Sequence, residues 1–234
     1  MQLFYNPDIQ PDATAFVFDK EESKHIVKVL RKKEGDTIMI TNGNGYLFTS
    51  EIKFASERKC EVSIIDTKFH EPSQYYLHLA VAPTKMNDRY EWFLEKATEI
   101  GVNEITPLIC ERSERTNFKA ERFEKILQSA MKQSLQYHMP KLNEPVAFKA
   151  FVDASHKGQL FIAHCGETDK RLLKTEIKPK ERITILIGPE GDFSVKEIQL
   201  ALQKNYVPVS LGNTRLRTET AAVVAAHSVA FVNE

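Results

Sequence analysis

A chain of 234 residues with 42% apolar content can bury a substantial core, in one large domain or two small ones. Its 32 basic and 32 acidic residues cancel, so there is no whole-molecule field to attract nucleic acid, and any such binding would rest on local patches. No stretch approaches the roughly 18 consecutive apolar residues of a membrane span, and MQLFYNPDIQ lacks a basic region followed by an apolar run, so a cytoplasmic location is expected.

From the N-terminus, TAFVFD, DTIMIT, GYLFTSEIKF and KCEVSIIDTKF alternate apolar and polar residues at period two, which predicts half-buried antiparallel strands. Asn42-Gly43-Asn44-Gly45 between two of them predicts a hairpin turn. One helix interrupts the strands. In KEESKHIVKVLRKKEGD the apolar positions Ile26, Val27, Val29 and Leu30 recur at helical spacing, with Gly35 suited to the exit. HEPSQ, residues 70–74, reads as a linker, which predicts a small β-rich domain over 1–72 and a second domain over 73–234.

After the linker, strand and helix alternate. YYLHLAVAP is a strand and KMNDRYEWFLEKATEIGV a helix stopped by Gly101; EITPLIC is a strand and KAERFEKILQSAMKQSLQYH a helix ended by Pro140. QLFIAHC, ITILIG and VPVSLG follow as strands, and an alanine-rich helix closes the chain, with His227 expected to be packed within it. This pattern predicts a mostly parallel α/β sheet with helices on both faces.

Such sheets bind ligands outside the carboxyl ends of their strands, which directs attention to the loops after Cys165, Ile187 and Leu211. Gly166, Gly188, Gly191 and Gly212 would let backbone approach a ligand, and Ser194 with Glu197 forms an S-x-x-E capping box opening the next helix. No GxxxxGK[ST], GxGxxG or GxSxG motif is present, which argues against a kinase, an NTPase, a dehydrogenase or a serine hydrolase. Cys60, Cys110 and Cys165, odd in number and widely spaced, suit buried thiols in a reducing compartment, and no metal site is expected. Two basic clusters, Lys28 to Lys33 and Arg112 to Lys125, read on their own as solvated faces.

Four segments, HIVKVLR (25–31), EWFLEKATEIGVNEITPLICERS (91–113), GPEGDF (188–193) and LGNTRLRTETA (211–221), together resemble the RsmE family. These are SPOUT-class methyltransferases that modify N3 of a uridine in bacterial 16S ribosomal RNA, and the resemblance spans nearly the whole chain. It implies a PUA-like N-terminal β-barrel, a C-terminal α/β domain with a trefoil knot, a homodimer, and 16S ribosomal RNA, within the 30S subunit, as substrate. It implies S-adenosylmethionine as cofactor, held by His164, Gly166, Gly188, Glu190, Gly191, Leu211, Gly212 and Leu216. Arg217 and Glu219 become the candidates for anion stabilisation and proton removal at the uracil, and Arg31, Arg112, Arg115, Asn117 and Gln133 for RNA contact. Two positions depart from the family pattern: Asp192 stands where glycine is usual, with an expected effect on cofactor affinity or loop conformation, and Gln136 where arginine is usual. The alternatives are a knotted methyltransferase with another RNA target and a non-enzymatic RNA-binding assembly factor.

Overall fold

The computed structural model describes residues 2–115, 118–167 and 169–234. They form two units, one of residues 1–72 together with 131–139, the other of residues 73–130 and 140–234. Among the described residues, no helix is long and apolar enough to cross a membrane.

The first unit carries β1 (Leu3–Tyr5), β2 (Ala15–Phe18), α1 (Lys20–Lys24), β3 (Thr37–Thr41), β4 (Tyr46–Ala55) and β5 (Cys60–Phe69) in one sheet of order β1-β3-β4-β5-β2. The four alternating segments pair antiparallel, whereas β1 lies parallel to β3. Their inward residues, among them Phe4, Ile38, Ile40, Phe48, Ile52 and Val62, close around Ile26 in one buried cluster. The helix differs from its predicted form. After α1 it widens into a π-turn over His25–Val29, and its end is set by Arg31 in the left-handed region, φ +56°, and not by Gly35. The Leu30 N–H reaches back to His25 O at 3.0 Å and Lys32 N–H to Ile26 O at 3.1 Å, bonds that satisfy the last carbonyls of a helix.

The Asn42–Gly45 turn does more than join two strands. Gly45 N–H donates to Tyr137 O and Met139 N–H donates to Gly43 O, both at 2.8 Å. Gly43 and Gly45 have φ of +74° and +90°, and a Cβ on Gly45 would stand 2.7 Å from the His138 and Phe69 rings. The turn thus pairs with residues 137–139, which belong to the same unit.

The second unit contains β6 (Tyr76–Val81), α2 (Asn87–Ile100), β7 (Glu104–Ile109), most of α3 (Ala120–Gln133), β8 (Lys141–Leu142), β9 (Val146–Ala147), α4 (Phe148–Asp153), β10 (Gln159–Ala163), β11 (Arg171–Leu172), α5 (Leu173–Glu176), β12 (Arg182–Ile187), α6 (Val195–Gln203), β13 (Val207–Ser210) and α7 (Thr218–Asn233). Seven strands run in the order β11-β13-β10-β12-β6-β7-β8, with β9 added beside β7, and every pairing is parallel. Helix α3 stops at Gln133, short of Pro140, because Leu135 takes a left-handed φ of +56°. Helices α4 and α6 pack with Ala80, Leu108, Ile162 and Leu186 of the sheet in one cluster, while α2 and α7 pack together, α7 also meeting β6 and β12. Order β13-β10-β12-β6 places the carboxyl ends of three strands with long loops side by side, which positions the site.

At the opposite, amino ends of these strands Glu104, 7% exposed, gathers a polar network. Its Oε1 accepts from Asn143 Nδ2 at 2.8 Å and its Oε2 from Tyr76 Oη at 3.0 Å and an Arg182 guanidinium N–H at 2.9 Å. His78 Nδ1 lies 3.7 Å from Oε2 while its Nε2 is 2.7 Å from Thr106 Oγ1. Burial pushes His78 down to about 4. Burial alone would raise Glu104, but the Asn143 hydrogen bond and the surrounding positive charge outweigh it and hold the carboxyl at about 2.

Candidate active site

Three strand ends build one cleft of about 670 Å³ in the second unit. It is bordered by His164 and Cys165 after β10, by Gly188 to Glu190 and Asp192 after β12, and by Leu211 to Arg217 after β13. Each loop is held by the next. Thr218 Oγ1, at the start of α7, donates to Gly188 O at 3.0 Å. Beneath the loop lies the buried Phe193, and a Cβ on Gly188 would come within 3.1–3.2 Å of its ring and backbone nitrogen, a tight approach that glycine relieves. The predicted capping box forms in full: Ser194 Oγ accepts from Glu197 N–H, and the Glu197 carboxylate accepts from Ser194 N–H.

Asp192 explains its own departure from glycine. It sits at φ +62°, a left-handed conformation that aspartate tolerates better than most side chains. Its carboxylate accepts from Phe193 N–H at 2.8 Å and from Cys165 N–H at 2.9 Å, tying the loop after β12 to the loop after β10. The charge thus braces two walls of the cleft. Asp192→Gly removes the brace, and we expect it to weaken S-adenosylmethionine binding roughly fivefold, about 1 kcal/mol, with Asp192→Asn closer to wild type. Calorimetric titration checks this, and unchanged or tighter binding by the glycine variant would disprove the brace.

The other predicted residues divide into those facing the cleft and those serving it from behind. His164, Gly188, Glu190, Leu211, Gly212, Leu216 and Arg217 line it, whereas Gly166, Gly191 and Glu219 do not. His164 is 7% exposed, and burial, followed by the nearby Lys170 charge, lowers its pKa. Glu190 Oε1 accepts from the Lys85 N–H at 2.9 Å, so its carboxylate fixes the loop after β6. Gly191 turns toward Arg112, whose guanidinium donates to Gly191 O at 2.8 Å. Arg112, exposed, thus holds the loop through one of its terminal nitrogens; beside it Glu111 N–H donates to Glu197 Oε1 at 2.8 Å. Glu219 is buried with its carboxylate toward Arg89, Nε to Oε1 3.9 Å, behind the residues that line the cleft.

Arg217 is exposed at the N-cap position of α7 without a side-chain capping bond. Arg31 borders a shallow basic recess with Lys32 and Lys33 in the first unit, Arg115 is half-buried, Gln133 is the exposed last residue of α3, and Asn117 lies outside the described residues. Cys60 and Cys110 are buried, but Cys165, expected to be so, is exposed at the cleft, and His227 is exposed on α7. Sequence reading missed Arg89, Lys170 and Arg215, all of which line the cleft. In the sequence, Arg89 is one charge among several on α2, and only the packing of α2 on α7 brings it to the site.

Comparison with known proteins decides the family. Residues 71–230 match the RNA methyltransferase domain and residues 18–65 the RNA methyltransferase PUA domain. The chain belongs to the RNA methyltransferase family. A Buchnera aphidicola (subsp. Acyrthosiphon pisum) protein named ribosomal RNA small subunit methyltransferase E is 33% identical over 92% of this chain and 87% of its own length. A Porphyromonas gingivalis structure described as a probable rRNA-methyltransferase superimposes with a TM-score of 0.92 at 38% identity, covering 100% of this chain and 98% of that one. A Legionella pneumophila methyltransferase in complex with the cofactor SAM gives a TM-score of 0.87 at 29% identity, covering 97% and 96%.

The cleft of this chain suits that cofactor. Ala163, Ile187, Val209, Leu211, Leu216 and Ala221 supply apolar wall, and the volume is that of an ordinary small-molecule site. The backbone N–H groups of residues 213–217 make no hydrogen bond among the described residues, which leaves donors for an adenine or a carboxylate. No lysine stands in a glycine cradle for phosphate, and S-adenosylmethionine has none to bind.

Proposed function

We propose that this protein transfers a methyl group from S-adenosylmethionine to N3 of a uridine in the 16S ribosomal RNA of the small subunit. What carries the reading is the single cleft formed by three strand-end loops inside an RNA methyltransferase domain. His164, Gly188, Leu211, Gly212 and Leu216 would hold the cofactor, with Gly166, Glu190 and Gly191 shaping the loops around it. Bound there, S-adenosylmethionine supplies an electrophilic methyl group on sulfur.

The residues must then align the uracil and manage its charge. N3 holds its proton at neutral pH, and its loss leaves an anion shared with the two flanking carbonyls. Arg217, exposed on the cleft, stabilises that anion through its planar fork. Glu219 acts from behind the cleft wall, so the proton leaves to water in the open cleft. Orientation supplies much of the rate, up to about 7–11 kcal/mol for well-placed reactants. Arg31, Arg115, Asn117 and Gln133 are proposed to grip RNA flanking the extruded base.

A homodimer and a trefoil knot form part of this reading. Support for the dimer comes from α7, where Phe231 is 63% exposed and Val223 and Val224 are half-buried, an apolar strip for a second copy. Asp192 no longer favours a non-enzymatic assembly factor, since its carboxylate braces the cleft.

Labelled S-adenosylmethionine with small ribosomal subunits lacking the modification tests the proposal, followed by primer extension along the 16S RNA. One new stop at a uridine is expected, because an N3 methyl blocks base pairing. Intact protein that binds the subunits and transfers no label would overturn it.

A further inference from the structure

We propose that Arg89 contacts an RNA phosphate in the cleft and that the buried Glu219 carboxylate holds it in position; this rests on the reading of the cleft as the place where cofactor and ribosomal RNA meet. Arg89 stands in the first turn of α2 and lines the cleft beside Arg215 and Arg217. Its Nε lies 3.9 Å from Glu219 Oε1, and the side chains are 39% and 9% exposed. The pair runs outward from the core, a buried anion first and a half-exposed guanidinium in front of it. Among the described residues Glu219 Oε2 is buried without a hydrogen-bond partner, so the carboxylate depends on Arg89 for its compensation. With Nε turned to Glu219, the two terminal nitrogens of Arg89 remain, a fork that matches two oxygens of a phosphodiester.

Charge selects the ligand class. Arg89, Lys170, Arg215 and Arg217 all line the cleft. Of the acidic residues that line it, Glu190 and Asp192 already accept backbone N–H groups, and Lys170 Nζ donates to His164 O at 3.0 Å. S-adenosylmethionine is itself cationic at sulfur with a zwitterionic tail, so a surplus of arginines repels it more than it holds it. A polyanion is the partner that the surplus fits, and phosphate contacts position a nucleic acid without reading its sequence.

The experiment measures the KM for unmodified small ribosomal subunits at several salt concentrations in wild type, R89K, R89A, E219Q and R89A/E219Q, beside S-adenosylmethionine affinity and melting temperature. R89A should raise KM about tenfold or more, flatten the dependence of log KM on log salt by about one, and leave cofactor affinity unchanged. R89K should recover part of the loss. R89A leaves Glu219 uncompensated, so R89A/E219Q, which removes both charges, should regain melting temperature and keep the raised KM. E219Q alone should raise KM by less than R89A.

A folded R89A/E219Q protein with wild-type KM and salt slope overturns the proposal, as does an effect confined to melting temperature or kcat. If the E219Q and R89A effects on KM multiply in the double variant, Glu219 does not act through Arg89 and the positioning half falls. Wild-type protein that transfers no methyl group overturns the underlying reading instead, a result separable from a silent Arg89 in an active enzyme.

Discussion

Arg217→Ala is expected to bind S-adenosylmethionine normally and to lose about 10²–10³-fold in kcat for methyl transfer, the usual cost of removing one preorganised donor to a developing anion. The loss should not come from unfolding. Arg217 is exposed, occupies the N-cap position of α7 without a side-chain capping bond, and so contributes little to the helix it precedes. Arg217→Lys keeps the charge but not the planar fork, and an intermediate rate is expected. Single-turnover transfer from labelled cofactor to unmodified small subunits reads the effect. A full rate in the alanine variant removes Arg217 from the chemistry.

Glu104→Ala should cost about 3 kcal/mol of stability, the lower end for breaking a buried charged pair, since Arg182 and Lys141 can both reach water. Glu104→Gln, which can still accept from Asn143 and Tyr76, should cost less. The same network makes the protein acid-labile. His78 stays neutral in the folded chain down to about 4, while in the unfolded chain it takes up a proton below its ordinary 6.5, so stability falls as pH drops through that window. Glu104, held at about 2 when folded against an ordinary 4.5, adds a second loss as pH falls between those values. Each leg is worth up to about 3 kcal/mol. Denaturant titrations from pH 7 to pH 3 check both legs; a Glu104→Ala protein whose stability falls below pH 4.5 as steeply as wild type would contradict the assignment.

The fold was legible where period and punctuation agree. The alternating strands, the parallel β6, β7, β10, β12 and β13, and the caps at Gly101 and Ser194 are local signals that the packed structure keeps. What failed was chain reversal by non-glycine residues. Arg31 and Leu135 adopt left-handed conformations with no sequence warning, so one helix ended earlier than Gly35 implied and another earlier than Pro140 implied. Short β1, β8, β9 and β11 have too few residues for a period to show.

The site divided in the same way. Glycine loops at strand ends marked the cleft, because only backbone geometry was at issue. Side-chain duties were not readable: Arg112, Glu190 and Asp192 spend their charge on backbone groups 79, 105 and 27 residues away in sequence. Arg89 reached the cleft only through the packing of α2 on α7.

The Asn42–Gly45 turn and its partner segment at 137–139 impose an order on synthesis. Residues 1–72 leave the ribosome with the Gly43 carbonyl and the Gly45 amide still unpaired, and nearly twice that length must emerge before Tyr137 and Met139 arrive to meet them. A nascent first unit is thus a protein waiting for its own last piece, and a fragment cut at residue 72 would stay in that state permanently, its hairpin tip frayed and open to exchange.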